Sequence, residues 1–237
     1  SFTLSLQTLN PVALDLMNRR NMRLNEWEEL VRWLHEMEMD CFAELIWGAP
    51  GETVEDFLEG YDRLAVHTNR IATYPLMLLP NTAYSDHRDK YGFITVRGEQ
   101  DDFEYILAHS TLSIEDGAKM QRFVLWARIL AEHGFFRHIW KALLHATGMT
   151  QSEVIMSAAN FVESSTDKVA DLFRVPSARM AQTSFFQKVL RELYCNDSFH
   201  KLLDQWWQEK ILLTSVPNLR DFLEDVYQYD YLTRPIY

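Results

Sequence analysis

Over its first 97 residues the chain alternates strand-like and helix-like runs through short connections, and this alternation constrains the fold more than any total does. Ser1-Phe2-Thr3-Leu4-Ser5-Leu6-Gln7 alternates apolar and polar residues at period two, as a strand with one buried face requires. Asn10-Pro11 then offers a helix cap and a proline at the first helical position. The apolar Leu14, Leu16 and Met17 follow, and after them the polar run Asn18-Arg19-Arg20-Asn21. A second helix is predicted over 25–37, with Asn25 and Glu28 at capping-box spacing and Trp27, Leu30, Val31 and Leu34 as its apolar stripe. Cys41-Phe42-Ala43-Glu44-Leu45-Ile46-Trp47 reads as a buried strand interrupted by one carboxylate. Gly48-Ala49-Pro50-Gly51 is a turn, and Thr53 caps a helix reaching about Val66. Residues 70–79 give a third strand closed by Pro80-Asn81, and a short helix and a strand over 93–96 follow. Elements in this order predict parallel strands joined by crossovers, too few for a closed eight-fold barrel and suited to half of one.

From about Phe103 onward the pattern becomes helical. Ser113 with Asp116 caps a helix through His133, and others are predicted near 135–147, 150–163, 184–195, 198–212 and 218–228. The predicted fold is therefore α/β: the C-terminal half of a partial TIM-type barrel over 1–98, then an α-helical C-terminal cap domain over 99–237. The chain opens on the strand itself, with no initiator Met and no polar tail, which predicts a fragment cut from the C-terminal part of a longer protein. Of its 237 residues 47% are apolar and 24% charged, enough to bury a core. A net charge of −11 argues against a broad basic face, so no nucleic-acid partner is expected. No apolar window approaches membrane-spanning length and no leader precedes the first strand, so the expected setting is cytoplasmic. Two cysteines, Cys41 and Cys195, make neither a disulfide framework nor a four-cysteine metal site.

Glu44 is the first candidate for chemistry, because a carboxylate among Phe, Ala, Leu, Ile and Trp is costly to bury without a partner. Two readings stand: an ion pair with an arginine of a neighbouring strand, or a ligand contact at the C-terminal end of a barrel strand. Gln7 holds the matching place on the opening strand, where an unengaged surface amide is the plainer reading. The Gly48-Ala49-Pro50-Gly51-Glu52-Thr53 turn could bring backbone close to a ligand, but it lacks the lysine and spacing of a P-loop. His138 and His145 lie seven apart, with His133 before them. On an aromatic-rich stretch that spacing favours packing over metal, and no metal site is predicted. Tyr227-Gln228-Tyr229-Asp230-Tyr231 reads as a packed tail.

Several stretches taken together resemble the radical SAM superfamily. They are Leu6-Gln7-Thr8-Leu9-Asn10-Pro11, Met17-Asn18-Arg19-Arg20-Asn21-Met22, Glu44 to Thr53, Tyr74-Pro75-Leu76-Met77-Leu78-Leu79-Pro80-Asn81-Thr82 and Lys90-Tyr91-Gly92. The Leu-Leu-Pro-Asn stretch and the helical tail look most like the subgroup with an upstream cobalamin-binding domain. The resemblance implies a partial barrel holding a 4Fe-4S cluster chelated by S-adenosylmethionine (SAM), whose one-electron cleavage yields a radical that abstracts hydrogen from a small-molecule substrate. It implies that Arg19 pairs with the SAM carboxylate and that Gln7 and Glu44 bond the ribose hydroxyls. Backbone at Ile46, Trp47 and Gly48, and Leu78, would border the adenine. The family's Cys-x-x-x-Cys-x-x-Cys motif is absent. The cluster ligands, like the cobalamin domain, are therefore expected outside this chain, with the upstream half of the barrel as its partner and the segment inactive alone. Other readings stay open: a cobalamin-independent radical SAM oxidoreductase or methylthiotransferase, or a non-catalytic α/β interaction scaffold.

Overall fold

The computed structural model describes residues 2–21, 24–39, 41–68, 70–98, 103–174 and 183–234. Backbone contacts divide the chain into two compact units, Ser1–Val124 and Leu125–Tyr237.

In the first unit β1 (Phe2–Gln7), β2 (Cys41–Trp47) and β3 (Ile71–Pro75) form a parallel sheet in that order, with Ser5 opposite Glu44 and Glu44 opposite Ala72. Period-two alternation sends Leu4, Ala43, Leu45 and Trp47 to one buried face. Two helices pack there: α2 (Leu24–Glu36), through Trp27, Val31 and Leu34, and α3 (Val54–Ala65), through Phe57, Tyr61 and Leu64. The other face carries Ser5, Glu44 and Ile46 and stays partly open. Between β1 and β2, α1 (Pro11–Leu16) begins as its sequence predicts: Asn10 Oδ1 accepts from the N–H groups of Val12 and Ala13 at 2.8 and 3.0 Å. Thr53 and Asp56 close a reciprocal capping box on α3. The side chain of Asn25 lies outside the described residues.

Two expectations are corrected here. The run 70–79 is not one strand. The Pro75 nitrogen has no hydrogen to donate, Leu76 N–H closes on Trp47 O at 2.8 Å, and the chain leaves the parallel sheet. It enters β4 (Met77–Leu78), then α4 (Ala83–Asp86), α5 (Arg88–Tyr91) and β5 (Ile94–Arg97). Residues 103–108, read as the start of helix, instead contain β6 (Glu104–Ala108), the centre of an antiparallel sheet ordered β4-β6-β5. The predicted strand over 93–96 thus extends no parallel sheet. A short apolar run such as Tyr105-Ile106-Leu107-Ala108 fits either element by periodicity, and distant pairing partners decide. Leu76, Leu78 and Ile106 form a small core there, with Met17, Ile46, Tyr84 and Phe93 packed against it. After β6, Ser113 and Asp116 cap α6 (Ile114–Ala127) as expected. The fold is α/β with a three-stranded parallel sheet, and among the described residues β1 pairs with β2 alone.

The second unit is helical: α7 (Ile139–Thr147), α8 (Gln151–Ser164), α9 (Thr183–Tyr194), α10 (Asp197–Trp206) and α11 (Arg220–Leu232). The helix expected over 135–147 starts only at Ile139, where Asp230 of α11, fully buried, accepts from the N–H groups of Arg137, His138 and Ile139. That carboxylate satisfies the orphan donors of α7 from 91 residues away, so no local cap signal exists to read. Aromatic rings fill the core, with Trp207 stacked on Tyr227 at 4.4 Å and Trp126 on Phe173 at 4.4 Å. His133 and His138 lie against Phe186 and Tyr229. Among the described residues no group of three or more His, Cys, Asp or Glu could hold a metal ion, and no helix is long and apolar enough to cross a membrane.

Candidate functional site

The open face of the parallel sheet ends in a cavity of about 530 Å³. Gln7, Arg19, Glu44 and Ile46 all line it, drawn from three separate stretches of chain. Each is aimed by a local device. Gln7 sits where the β1–β2 register slips, at φ +63°, with Thr8 N–H folding back onto Leu6 O at 2.8 Å. A left-handed non-glycine residue is strained, and such residues persist where surrounding structure over-determines them. Arg19 follows a Schellman stop on α1: Asn18 takes the left-handed conformation at φ +52°, its N–H bonds Asp15 O at 3.0 Å, and Arg19 N–H bonds Leu14 O at 2.9 Å. The polar run Asn18-Arg19-Arg20-Asn21 is thus a helix terminator that turns Arg19 toward the cavity. The guanidinium is exposed and makes no ion pair among the described residues.

Glu44 is half-buried, and its partner is the Ser5 hydroxyl, which donates to Oε2 from the neighbouring strand. Of the two readings of this carboxylate, the ion pair with an arginine of a neighbouring strand does not form among the described residues. Period two places Glu44 on the open face, so the apolar residues flanking it in sequence point the other way and its burial cost is small. The remaining candidates lie apart from the cavity wall. Trp47 is buried on the helix-covered face, and Leu78 is buried in the core with Leu76 and Ile106. Gly48 opens the turn at φ +84°, with open space where a Cβ would stand. The apolar wall comes from β3 and the segment after it, including Tyr74, Leu76, Met77, Tyr84 and Tyr91. Burial pushes the Tyr84 phenol up to about 12, so it remains a neutral hydroxyl at any working pH.

Contacts that the sequence reading did not single out hold this arrangement together. The Thr8 hydroxyl donates to Glu52 Oε1 and accepts from Asn10 N–H at 3.0 Å, and Thr8 O accepts from Asn21 Nδ2 at 2.6 Å. Gly51, at φ +90°, lies so near α1 that a Cβ would stand 2.9 Å from Val12 Cγ1. Its N–H donates to Thr111 Oγ1 at 2.9 Å. His109 Nδ1 accepts from Thr111 N–H at 3.2 Å, which leaves the hydrogen on Nε2, a buried atom with no hydrogen-bond partner among the described residues. Burial holds this imidazole below its ordinary range, hence neutral. Both Thr8 and Glu52 lie within the stretches that carry the family resemblance, but that they meet is a property of the fold.

The cavity combines one guanidinium, without an ion pair among the described residues, one carboxylate and one amide with an aromatic and aliphatic wall. It suits a ligand carrying an anionic group, hydroxyls and a flat apolar part. No family model matches the chain. The chain is 30% identical over 98 residues to the cobalamin-dependent radical SAM methyltransferase TokK of Streptomyces tokunonensis, a match covering 40% of this chain and 14% of that protein. The chain thus spans a small part of that relative's length, and the relationship it shows is a distant one to radical SAM proteins.

Proposed function

We propose that this chain supplies the SAM-facing half of a radical SAM active site, serving cobalamin-dependent methyl transfer to an unactivated carbon of a small-molecule substrate. The observation that carries the reading is the convergence of Gln7, Arg19, Glu44 and Ile46 on one cavity. Arg19 would hold the SAM carboxylate through its planar fork of donors. Glu44, which already accepts a hydroxyl from Ser5, would accept one from the ribose, and Gln7 would bond the other. Ile46 and the wall after β3 would cover the adenine and exclude water. SAM held by these residues would supply, on one-electron cleavage, the radical that opens a C–H bond.

The residues present do not fit the cluster. Cys41 is buried at the start of β2, and Cys195 is exposed in the other unit. The reading therefore assigns the cluster ligands to an upstream half pairing along the outer edge of β1 and the cobalamin to a further upstream domain, and predicts no turnover by this chain alone. The test is an anaerobic assay, with reductant and SAM, of the longest natural chain carrying this segment. 5′-Deoxyadenosine should form, and should fall sharply in Arg19→Ala and in Glu44→Ala. No nucleoside from a chain that carries iron and sulfide sinks the reading. What stands upstream separates cobalamin-dependent transfer from oxidative or methylthio chemistry.

A further inference from the structure

Gln7, Arg19 and Gly48 ride on three arms of the first unit, and Thr8 joins all three. Through its carbonyl it holds Asn21, two residues past Arg19. Through its hydroxyl it holds the Asn10 backbone and Glu52, one residue past the Gly48–Gly51 turn. Glu52 is only 3% exposed, and its second oxygen, Oε2, has no hydrogen-bond partner among the described residues. A buried carboxylate with a bare oxygen and no cation is costly.

We propose that the Thr8–Glu52 contact is a proton-gated positioning lock, which fixes the Gln7–Asn21 arm against the Gly48–Gly51 turn while Glu52 is protonated and releases it when Glu52 ionises. As a positioning role toward the SAM pocket it rests on the reading given above. Burial pushes the Glu52 carboxyl up to about 7, and Asp56 of α3, facing it with like charge, adds to the shift. The Thr8 hydroxyl favours the anion, but less than burial opposes it. Protonated, Glu52 meets Thr8 as a neutral acceptor. Ionised, it strengthens that one bond and leaves Oε2 bare in a site closed to water, and the sum favours withdrawing the turn.

The experiment uses the longest natural chain carrying this segment and compares wild type, Glu52→Gln and Thr8→Val. Hydrogen exchange of residues 7–21, without ligand, should match between wild type and Glu52→Gln at pH 4, below the ordinary value of the carboxyl. At pH 8 wild type should exchange roughly a hundredfold or more faster than Glu52→Gln at the same pH, because the ratio climbs about tenfold per unit between the opened carboxyl's ordinary 4.5 and the closed one's value of about 7 and is flat above. Thr8→Val, lacking the hydroxyl, should exchange fast at both. A wild-type to Glu52→Gln ratio flat from pH 4 to 8 overturns the lock, whether or not SAM binds. SAM dissociation constants from equilibrium dialysis should weaken with pH in wild type and not in Glu52→Gln. A pH-dependent exchange ratio with no SAM binding at any pH leaves the lock standing and removes the SAM reading instead.

Discussion

Arg19 and Glu44 carry opposite charges on the wall of one cavity, yet they answer to different partners. Glu44 already has the Ser5 hydroxyl, whereas Arg19 has no charged partner among the described residues. Substituting Arg19 by Lys keeps the charge and loses the planar fork, so SAM affinity should fall roughly tenfold to a hundredfold while thermal stability stays unchanged. Equal losses of affinity and of melting temperature would make Arg19 a structural residue. Glu52 produces the opposite pattern, an effect on stability with a defined pH window. Its ordinary value of 4.5 rises to about 7 on folding, so the folded chain holds the proton more tightly than the unfolded one. Stability from this group is complete below pH 4.5, falls by about 1.4 kcal/mol per unit as pH climbs toward 7, and is flat above. The whole loss is roughly 3 kcal/mol, and Glu52→Gln should abolish it. Urea unfolding at pH 5 and pH 8 reads both. A wild-type midpoint that does not move between them contradicts the burial argument.

The elements most readable from the sequence are those whose signals are contiguous. Cys41–Trp47 forms a strand through its own residues, and α1, α3 and α6 begin at side chains that cap them from one to three positions away. What could not be read depends on partners far along the chain. β6 is a strand because β4 and β5 flank it, α7 starts late because Asp230 caps it, and Thr8 meets Glu52 across 44 residues. The same distance hid how the candidate residues meet: Glu44 stood out as a carboxylate in an apolar strand and Gln7 and Arg19 became candidates through family resemblance, while the bonds that hold their arms together required the fold. One glycine tests the misread element directly. Gly117 lies inside α6, where helix propensity alone would make alanine better by about 1 kcal/mol. Here a Cβ would stand 2.1 Å from Leu107 O of β6, so α6 packs against the strand through the missing side chain. Gly117→Ala should therefore destabilise the protein by more than about 2 kcal/mol, a sign opposite to propensity. A neutral or stabilising result in thermal unfolding would mean that β6 and α6 do not meet as described.

At the scale of the molecule the open question is what stands against β1. Its outer edge presents an unpaired row of backbone groups over Phe2–Gln7 among the described residues. Protein edges are usually guarded by lysine, proline or a bulge, and Phe2 to Leu6 contains no lysine or proline. Thr3, exposed on the open face, makes the status of this edge measurable. In the isolated segment, Thr3→Lys places a solvated charge on a free edge. It should change stability by less than about 0.5 kcal/mol and suppress any concentration-dependent association seen by sedimentation. In a longer chain whose upstream strands pair with β1, the same lysine would face the interior of the half-barrel without a counter-charge, at a cost of about 3 kcal/mol or more. One substitution is thus expected to be silent in one setting and damaging in the other. A longer chain that tolerates Thr3→Lys as easily as the segment does would make β1 a true edge in the whole protein, and the sheet would then be complete at three strands with no upstream half to carry the cluster.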